Sequence, residues 1–346
     1  MDGDTRAGHD GWPHAANAGR IPVLHSVISP RTVLAHVSRY FSVQAPATCH
    51  LIKQSLNETY LIRQPERSFI ARAYATRRPA SEIAYELDLL THLASRNVRV
   101  PAPVAANDGK LAVALGAPEG DRAIALFPYA EGAQFACKDA AQCRLAGRLL
   151  ARVHDASDAF KSSHWRRRLD VDFLIDDPLH AIRPFLAHRP ADLDHLENLG
   201  ARLRARLTGL AAAGLDWGVC HGDFGAKNIH DGGGETDATV IDFDSCGEGW
   251  RAYDFAPIRR ATLNKNEELW NAFLVGYGDV RPIRAVDLQA VSLFRLLRHL
   301  SMLGVFARNV DVWGVVRLDD SSMDRWLRIL RGWDAQAWER PSAQVE

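Results

Sequence analysis

Residues 221–228 read His-Gly-Asp-Phe-Gly-Ala-Lys-Asn, and residues 240–244 read Val-Ile-Asp-Phe-Asp. Two glycines interrupt any helical period in the first stretch, and its Asp and Asn favour turns, so the stretch predicts a loop. The second stretch predicts a short buried strand that carries Asp242 near its end. Metal-dependent phosphoryl transfer requires one carboxylate beside the attacking hydroxyl, and a carboxylate with an amide oxygen around Mg²⁺. The spacing of Asp223, Asn228 and Asp242 indicates this chemistry.

Three other stretches look like site signals but have simpler interpretations. Residues 231–235 (Asp-Gly-Gly-Gly-Glu) do not open a helix and lack a following Lys-Ser/Thr, so they predict a hairpin turn. Cys220 beside His221 predicts a packed thiol and not a nucleophile, because neighbouring strand residues point to opposite faces. The run Arg166–Arg168 predicts a solvated face and not a nucleic-acid site.

Composition favours a cytoplasmic globular protein. The chain has 346 residues, 47% of them hydrophobic and 24% charged, with a formal net charge of zero. The absence of net charge argues against nucleic-acid or anionic-membrane partners, and no apolar stretch reaches the roughly 20 residues of a membrane span. Five cysteines without a C-x-x-C pair predict reduced thiols. Residues 1–20 lack an apolar signal core and predict a loosely packed tail.

The hydrophobic pattern divides the chain into a tail with a leading helix (1–43), an N-lobe (44–127) and a C-lobe (128–346). The N-lobe order is β-β-β-α-β-β. Its predicted strands are 49–53, 59–63, 69–74, 110–115 and 123–127, and its predicted helix is 80–95, capped by Ser81. Beyond a hinge at 125–132, helices are predicted at 139–154, 178–188, 192–213, 252–261, 265–277, 286–308 and 320–333. The class is therefore α+β, with a small sheet followed by a larger, mainly helical region.

The chain resembles the aminoglycoside phosphotransferase/choline kinase-like family. The strongest similarity lies in 217–223 (Trp-Gly-Val-Cys-His-Gly-Asp), Asn228, 241–244 and 250–255 (Trp-Arg-Ala-Tyr-Asp-Phe). The similar segments follow one another in the same order from about residue 45 to residue 335, and the similarity is weaker in the N-terminal part. It implies a bilobal protein-kinase-like fold with a small antiparallel N-lobe and a helical C-lobe, ATP as phosphoryl donor, and Mg²⁺.

Carried to this sequence, the resemblance makes Asp223 the catalytic base that accepts the proton of an alcohol. It makes Asn228 and Asp242 the Mg²⁺ ligands. Lys227, beside Asn228, has two interpretations that the sequence leaves open: it reaches the transferring phosphoryl group, or it is a solvated surface lysine.

Three further residues near these groups are candidates for supporting roles. Asp244 follows Asp242 by two positions, which in a strand places both on one face, where Asp244 could assist the metal or the acceptor. Asp254 is expected to brace the catalytic loop by hydrogen bonds and not to touch substrate. His221 is likewise expected to be a brace and not a general base.

In the N-lobe, the resemblance places Arg72 where the family has a strand lysine that contacts the α- and β-phosphates. Glu86 on the following helix is its expected ion-pair partner, with Glu82 as the alternative. Arginine is planar and forked, so its phosphate contact would differ in geometry from that of lysine.

The nucleotide would meet two N-lobe segments. The turn Ser55–Thr59 takes the place of the phosphate-covering loop, and because it has no glycine, Asn57 is expected to supply any unusual backbone angle. Backbone groups of residues 126–129, which include Phe127 and Tyr129, would meet the adenine.

The favoured function is an ATP- and Mg²⁺-dependent kinase acting on a small-molecule hydroxyl. Only about a dozen residues separate Asp242 from Asp254, too few for a peptide-binding platform. The acceptor stays open among amino alcohols, homoserine-like compounds, aminoglycosides and sugars. One alternative is a protein Ser/Thr kinase of the bacterial stress-response type. Gly276-Tyr277, residues 296–300 and Trp313 resemble that subgroup and also the homoserine-kinase-like one. The other alternative is a non-catalytic nucleotide-binding protein, against which the three site residues argue.

Overall fold

The computed structural model describes residues 22–233, 238–262 and 267–338. Its first part contains two helices and five strands. They are α1 (Pro30–Tyr40), β1 (Thr48–Gln54), β2 (Glu58–Arg63), β3 (Ser68–Ala73), α2 (Ala80–Ser95), β4 (Val113–Ala117) and β5 (Gly120–Pro128). The predicted order β-β-β-α-β-β is confirmed. The predicted tail over residues 1–20 lies outside the described residues.

The five strands form one antiparallel sheet in the order β1-β2-β3-β5-β4. Side chains of each strand alternate between the two faces of the sheet. Ala71 and Ala73 of β3 lie on the face that packs against Val33 and Val37 of α1. Arg72, between them, points to the other face, where α2 lies. The alternation thus directs one cationic side chain of β3 into the region between the lobes.

Two local predictions in this lobe are wrong. β4 begins at Val113 and not at residue 110, because Lys110 is held in a tight turn where its N–H and its ammonium both bond Asp108. Ser81 does not cap α2. The N-cap residue is Pro79, which has no side-chain hydrogen bond, and its carbonyl accepts the N–H of Ile83 at 3.3 Å.

The rest of the described chain is mainly helical, with five short strands around the catalytic loop. The helices are α3 (Ala140–Ser157), α4 (Asp177–Ile182), α5 (Pro190–Ala212), α6 (Phe255–Thr262), α7 (Glu267–Gly278), α8 (Ala285–Arg308), α9 (Val310–Trp313) and α10 (Asp320–Ala337). The strands are β6 (Ala133–Gln134), β7 (Trp217–Cys220), β8 (Ile229–Asp231), β9 (Thr239–Val240) and β10 (Gly247–Trp250). The α+β class with a small sheet and a larger helical lobe is confirmed.

The helix predicted over 178–188 is composite. A π-helical turn at Asp172–Asp176 leads into α4, and a 3₁₀ turn at Arg183–Leu186 follows it. Pro184 has no N–H to donate, so the α-helical ladder cannot continue unchanged through this position. The hydrophobic period alone did not reveal this change of helix type.

Helices α3 and α7 cross at a pair of glycines. A Cβ on Gly147 would lie 2.1 Å from the carbonyl oxygen of Phe273, and one on Gly276 would lie 1.9 Å from that of Arg144. The neighbouring atoms are backbone and cannot swing away. These two positions therefore require glycine, and the close crossing holds α3 beneath the catalytic loop.

The core of the helical lobe extends into the N-lobe. Leu87 and Leu90 of α2 and Phe127 of β5 belong to the same buried cluster as α8. Among the described residues, α8 is the one helix long and apolar enough to cross a membrane, and 72% of its apolar window is buried inside the protein. Such burial is typical of a core helix.

The connection between the lobes is β5, which runs past the predicted boundary at residue 127 and ends at Pro128. The division into 1–43, 44–127 and 128–346 stays a prediction. Strands β8 and β9 pair antiparallel, as the predicted hairpin requires, but residues 234–237 of its turn lie outside the described residues.

Candidate active site

The loop that follows β7 is anchored by Asp254. Its buried carboxylate accepts the backbone N–H of His221 at 2.6 Å and that of Gly222 at 2.8 Å. Gly222 has a φ of 82°, and a Cβ there would lie 2.0 Å from the carbonyl oxygen of Ser245, so only glycine fits. Through these two hydrogen bonds Asp254 holds the loop in place, which is the bracing role expected from the sequence.

Asp254 is itself held by His154, whose Nε2 lies 3.1 Å from its Oδ2, and Tyr277 contacts the other ring nitrogen at 2.9 Å. Burial alone would raise the pKa of the Asp254 carboxyl, but the His154 hydrogen bond and nearby imidazoles hold it below its usual value. Burial lowers the pKa of His154 despite that bond. The catalytic loop is therefore anchored by a carboxylate that is itself hydrogen-bonded to a buried imidazole.

His221 connects the loop to the chain after β9. Its Nδ1 accepts the N–H of Asp223 at 3.2 Å, and its Nε2 lies 2.9 Å from the carbonyl oxygen of Ile241. Both ring nitrogens are thus used by backbone groups, which matches the expected brace. Burial raises the pKa of the Cys220 thiol well above its usual value, so Cys220 is a packed residue and no nucleophile.

Asp223 stands at the centre of a polar cluster. Its Oδ1 accepts Arg298 Nη2, and the same guanidinium donates to the carbonyl of Gly222 at 2.8 Å. Asn228 Nδ2 donates to the backbone oxygen of Asp223 at 2.9 Å and to its Oδ2 at 3.3 Å. Lys227 Nζ lies 3.5 Å from the same Oδ2. The carboxylate is therefore fixed in orientation from two sides.

The structure places Asp242 outside a strand, contrary to the prediction for Val240–Phe243. Strand β9 ends at Val240, and Asp242 has a left-handed backbone with φ of 65° and ψ of 58°. Its carboxylate accepts Arg72 Nη2 at 3.0 Å and lies 3.6 Å from Lys53 Nζ. Burial would raise the pKa of Asp242, but Arg72 and Lys53 hold it below its usual value.

Asn228 and Asp242 suit a hard divalent cation. The amide of Asn228 is oriented by two donated hydrogen bonds from its nitrogen, so its oxygen is the free end, and Asp242 offers a carboxylate. Among the described residues there is no cluster of three His, Cys, Asp or Glu side chains that could hold a metal alone. Mg²⁺ is commonly bound by one or two protein oxygens together with substrate phosphates, and this pair fits that arrangement.

Arg72 also contacts Glu86, with Nη1 3.1 Å from Oε1. Glu86 is fully buried, and burial raises its pKa although Arg72 opposes the shift. Glu82, the alternative partner, lies instead 3.9 Å from Arg78 and 3.7 Å from Arg166. The geometry therefore selects Glu86.

The sequence does not reveal Lys53 as a site residue, because its role depends on the register of the strands. Lys53 pairs with Thr59, and Thr59 pairs with Arg72, so the three residues lie side by side across β1, β2 and β3. The hairpin register, which depends on a bulge between Leu51 and Lys53, cannot be read from composition. The result is a second cation aimed at Asp242.

The turn before β2 differs from expectation at Asn57. Asn57 is not among the described residues with positive φ, so it supplies no unusual backbone angle. Instead its Oδ1 accepts the N–H of Ala75 and its Nδ2 donates to Asp244 Oδ1, both at 3.0 Å. Ser55 donates through its N–H to the carbonyl of Asn57 at 3.0 Å. The turn is thus closed by a backbone hydrogen bond and fixed by the side chain of Asn57, with no glycine.

Asp244 does not share a strand face with Asp242, because residues 243–245 form a 3₁₀ turn. Its carboxylate accepts Asn57 and Arg78 of the N-lobe. Arg166 donates to its backbone oxygen at 2.6 Å. The expectation of a solvated Arg166 is wrong, since its side chain is only 6% exposed. These contacts join the two lobes directly after Asp242.

Two cavities are lined by these residues. One, of about 440 Å³, is lined by the predicted residues Thr59, Arg72, Glu86, Phe127, Tyr129, Asn228 and Asp242 and by Lys227, but by neither Ser55 nor Asn57. The other, of about 330 Å³, is lined by Gly222, Asp223, Asp244, Tyr253 and Arg298 among others. The first contains the residues expected to hold a nucleotide and metal, and the second contains the expected base.

The chain is similar to several known proteins. A family model described as "Phosphotransferase enzyme family" matches residues 49–286. An uncharacterized protein of Deinococcus radiodurans is 36% identical over 326 residues, covering 92% of this chain and 94% of that protein. A homoserine kinase of Rhodopseudomonas palustris is 30% identical over 280 residues, or 76% of this chain and 80% of that enzyme.

Among solved structures, a microcompartment-associated aminopropanol kinase superposes with a TM-score of 0.71 and 23% identity, over 89% of this chain and 96% of that one. The protein-kinase-like fold expected from the resemblance is therefore confirmed, and the family match decides against a non-catalytic protein. The chain belongs to the phosphotransferase enzyme family, as a kinase-like enzyme that acts on hydroxyl groups.

Proposed function

We propose that the enzyme transfers the γ-phosphoryl group of ATP to a hydroxyl of a small molecule and uses Mg²⁺. The observation that carries this proposal is that Asp223 and Asn228, which are bonded to each other, line two different cavities. The Asp223 carboxylate lines the 330 Å³ cavity, while Asn228, which donates to that carboxylate, lines the 440 Å³ cavity with Asp242. A base beside the acceptor and oxygen ligands beside the donor are the two requirements of in-line phosphoryl transfer.

Each residue then has a definite task. Phe127 and Tyr129 border the adenine end of the larger cavity, and Arg72, oriented by Glu86, binds phosphate oxygens. Asn228 and Asp242 hold Mg²⁺, which when bound neutralises charge on the phosphates. Asp223 orients the acceptor hydroxyl and accepts its proton as the new P–O bond forms, while the bond between the γ-phosphorus and the bridging oxygen breaks and ADP leaves.

Small acceptors are favoured over peptides for two reasons. The segment from Asp242 to Asp254 is occupied by a 3₁₀ turn, β10 and a second 3₁₀ turn, and β10 pairs with β7, so it offers no extended peptide platform. The similarity to a homoserine kinase supports an amino alcohol or a related hydroxy compound as acceptor. Transfer to a generic protein substrate with no transfer to any small alcohol would favour the stress-response type of kinase instead.

The first test is Asp223→Asn. Loss of the base should lower kcat by about 10²–10⁴-fold and leave the affinity for ATP nearly unchanged. ATP consumption is measured against a panel of amino alcohols, homoserine, sugars and aminoglycosides, and nucleotide binding is measured by calorimetry. Asp311→Asn, an exposed carboxylate on α9, is the matched control. Equal turnover in Asp223→Asn and the control would refute the assignment.

A further inference from the structure

A third cavity opens at Asp223 and is lined entirely by residues of the helical lobe. It measures about 220 Å³ and lies between the catalytic loop, α6, α8 and α10. Arg260, Arg295, Trp326 and Trp333 line it together with Asp223. Its volume is that of roughly seven water molecules at about 30 Å³ each, so it has room for a short chain with one polar end group. A group bound there would be next to the base.

The cavity carries positive charge that the protein does not balance. Among the described residues, Arg295 and Arg260 have no carboxylate partner, whereas the adjacent Arg259 forms an ion pair with Glu267 at 2.7 Å. Nε of Arg295 is buried without a hydrogen-bond partner. Burial lowers the pKa of Arg295 to about 10, with a further contribution from Arg259, so the guanidinium is still charged at neutral pH. Arg295 as a whole is half-buried and Arg260 is exposed, so the unmet hydrogen-bonding capacity lies at the Nε of Arg295. A buried polar group of this kind is costly unless a ligand pairs with it.

The neighbouring 330 Å³ cavity differs from this one in the pairing of its arginines. Its arginines are all matched within the protein: Arg78 by Asp244, Arg167 by Asp177, and Arg298 by Asp223. Arg166 is likewise used by backbone carbonyls and lies 3.7 Å from Glu82. The arginines of the 330 Å³ cavity are therefore paired, whereas Arg295 and Arg260 of the 220 Å³ cavity have no carboxylate partner among the described residues.

The tryptophans of this cavity do not form a site for an ammonium group. The Arg295 guanidinium lies 4.6 Å from the ring centroid of Trp333, and the His299 ring lies 4.3 Å from that of Trp326. One face of each ring is thus covered, in one case by a cation. A positively charged ligand would meet two arginines, and the one carboxylate that lines the cavity, Asp223, is already paired with Arg298.

We propose that the acceptor alcohol carries an anionic group, a carboxylate or a phosphate, which Arg295 and Arg260 bind while its hydroxyl lies at Asp223. This inference rests on the function proposed above and narrows its substrate class. Guanidinium groups bind carboxylates and phosphates through paired, charge-assisted hydrogen bonds. The anion also supplies the partner that the buried Nε of Arg295 lacks.

The test uses four probes that share a primary hydroxyl on a short chain: 4-hydroxybutanoate, 3-hydroxypropyl phosphate, 1,4-butanediol and 4-amino-1-butanol. Binding to the full chain is measured by calorimetry, and kcat/KM is measured with ATP. At least one anionic probe should bind about tenfold or more tightly than the diol and the amine, as expected for charge-assisted hydrogen bonds. Arg295→Gln should abolish that preference, mainly through a higher KM for the anionic probes.

Two further variants complete the design. Arg328→Gln, an exposed arginine on α10, is the matched control and should retain the preference. Arg295→Lys should retain part of it, because the charge stays while the fork is lost. Circular dichroism and the affinity for ATP establish that each variant is folded.

The outcomes separate this inference from the proposed function. Binding of an anionic probe that Arg295→Gln abolishes, without ATP turnover on any alcohol, would support the anion site and refute the kinase proposal. Phosphorylation of the diol or the amine at least as efficient as that of both anionic probes would support the kinase and overturn the inference. Absence of binding by both anionic probes, or equal binding in Arg295→Gln, would also overturn it.

Discussion

Asp242 holds a backbone conformation that a non-glycine residue rarely adopts. The left-handed region costs such a residue about 1–2 kcal/mol, and strain of this kind persists where the surrounding structure enforces it. Here β9 has ended at Val240, and the turn directs the carboxylate toward Arg72 and Lys53. An extended residue at this position would send its side chain elsewhere. The local strain therefore places the expected metal ligand in the nucleotide cavity.

The Asp242→Asn variant tests that role. Removal of the charge should remove most of the gain in nucleotide affinity that Mg²⁺ provides, because an amide is a weaker ligand than a carboxylate and Arg72 becomes less well balanced. Calorimetry of ATP binding with Mg²⁺ and with EDTA measures the gain. The gain should remain in Asp311→Asn, and an undiminished gain in Asp242→Asn would remove Asp242 from the metal site.

At the residue scale, what could be predicted was local in sequence. Asp223, Asn228 and Asp242 stand out by spacing within two short stretches. Arg298 and Lys53 do not, because their roles arise from contacts across 75 and 189 positions of the chain, and each is an ordinary cation in its own element. For Asn57 the sequence predicts an unusual backbone angle, whereas in the structure its side chain forms the important contact, a hydrogen bond to Asp244.

At the element scale, the α3–α7 crossing depends on atoms that cannot move. Gly276→Ala should lower the free energy of unfolding by about 2 kcal/mol or more, since the new Cβ would meet the backbone oxygen of Arg144. Gly278→Ala, two residues later on the same helix, is the control because nothing lies within 4 Å of its Cβ. Urea denaturation of both variants measures the difference, and equal stabilities would contradict the close packing.

The elements themselves were largely predictable, and their ends and types were less so. Periodicity identified α2 and the long helices because each buries a continuous apolar stripe. It missed the π-helical turn before α4 and the 3₁₀ turn after Asp242, because neither changes the apolar pattern appreciably. The second omission had a functional consequence, since it put Asp244 on the wrong side of the site.

At the scale of the whole molecule, stability should fall in mild acid. Burial lowers the pKa of His299 to about 4, although a hydrogen bond to Trp326 opposes the shift. The unfolded chain binds a proton at this histidine near pH 6.5, whereas the folded chain does not. The free energy of unfolding is therefore not reduced by this group above pH 6.5, and it decreases as the pH falls toward 4. At pH 4.5 the loss from this group is about 2–3 kcal/mol.

His299→Gln measures this contribution. The variant should show a decrease in unfolding free energy between pH 7 and pH 4.5 that is about 2–3 kcal/mol smaller than in the parent protein. Denaturant titrations at the two pH values provide the comparison. A residual slope is expected from His154, whose pKa burial also lowers. An identical slope in both proteins would show that His299 is protonated when folded.

Helix α2 shares its hydrophobic core with the helical lobe, and this affects the order in which the protein unfolds. One face of the sheet and α1 form a small hydrophobic cluster of their own, whereas α2 belongs to the cluster that fills the helical lobe. Cooperative units follow contiguous burial, and partial openings begin where a cluster is small. Detachment of α1 can therefore precede global unfolding as a local excursion. The ion pair of Arg72 with Glu86, by contrast, should disappear only when the larger unit unfolds.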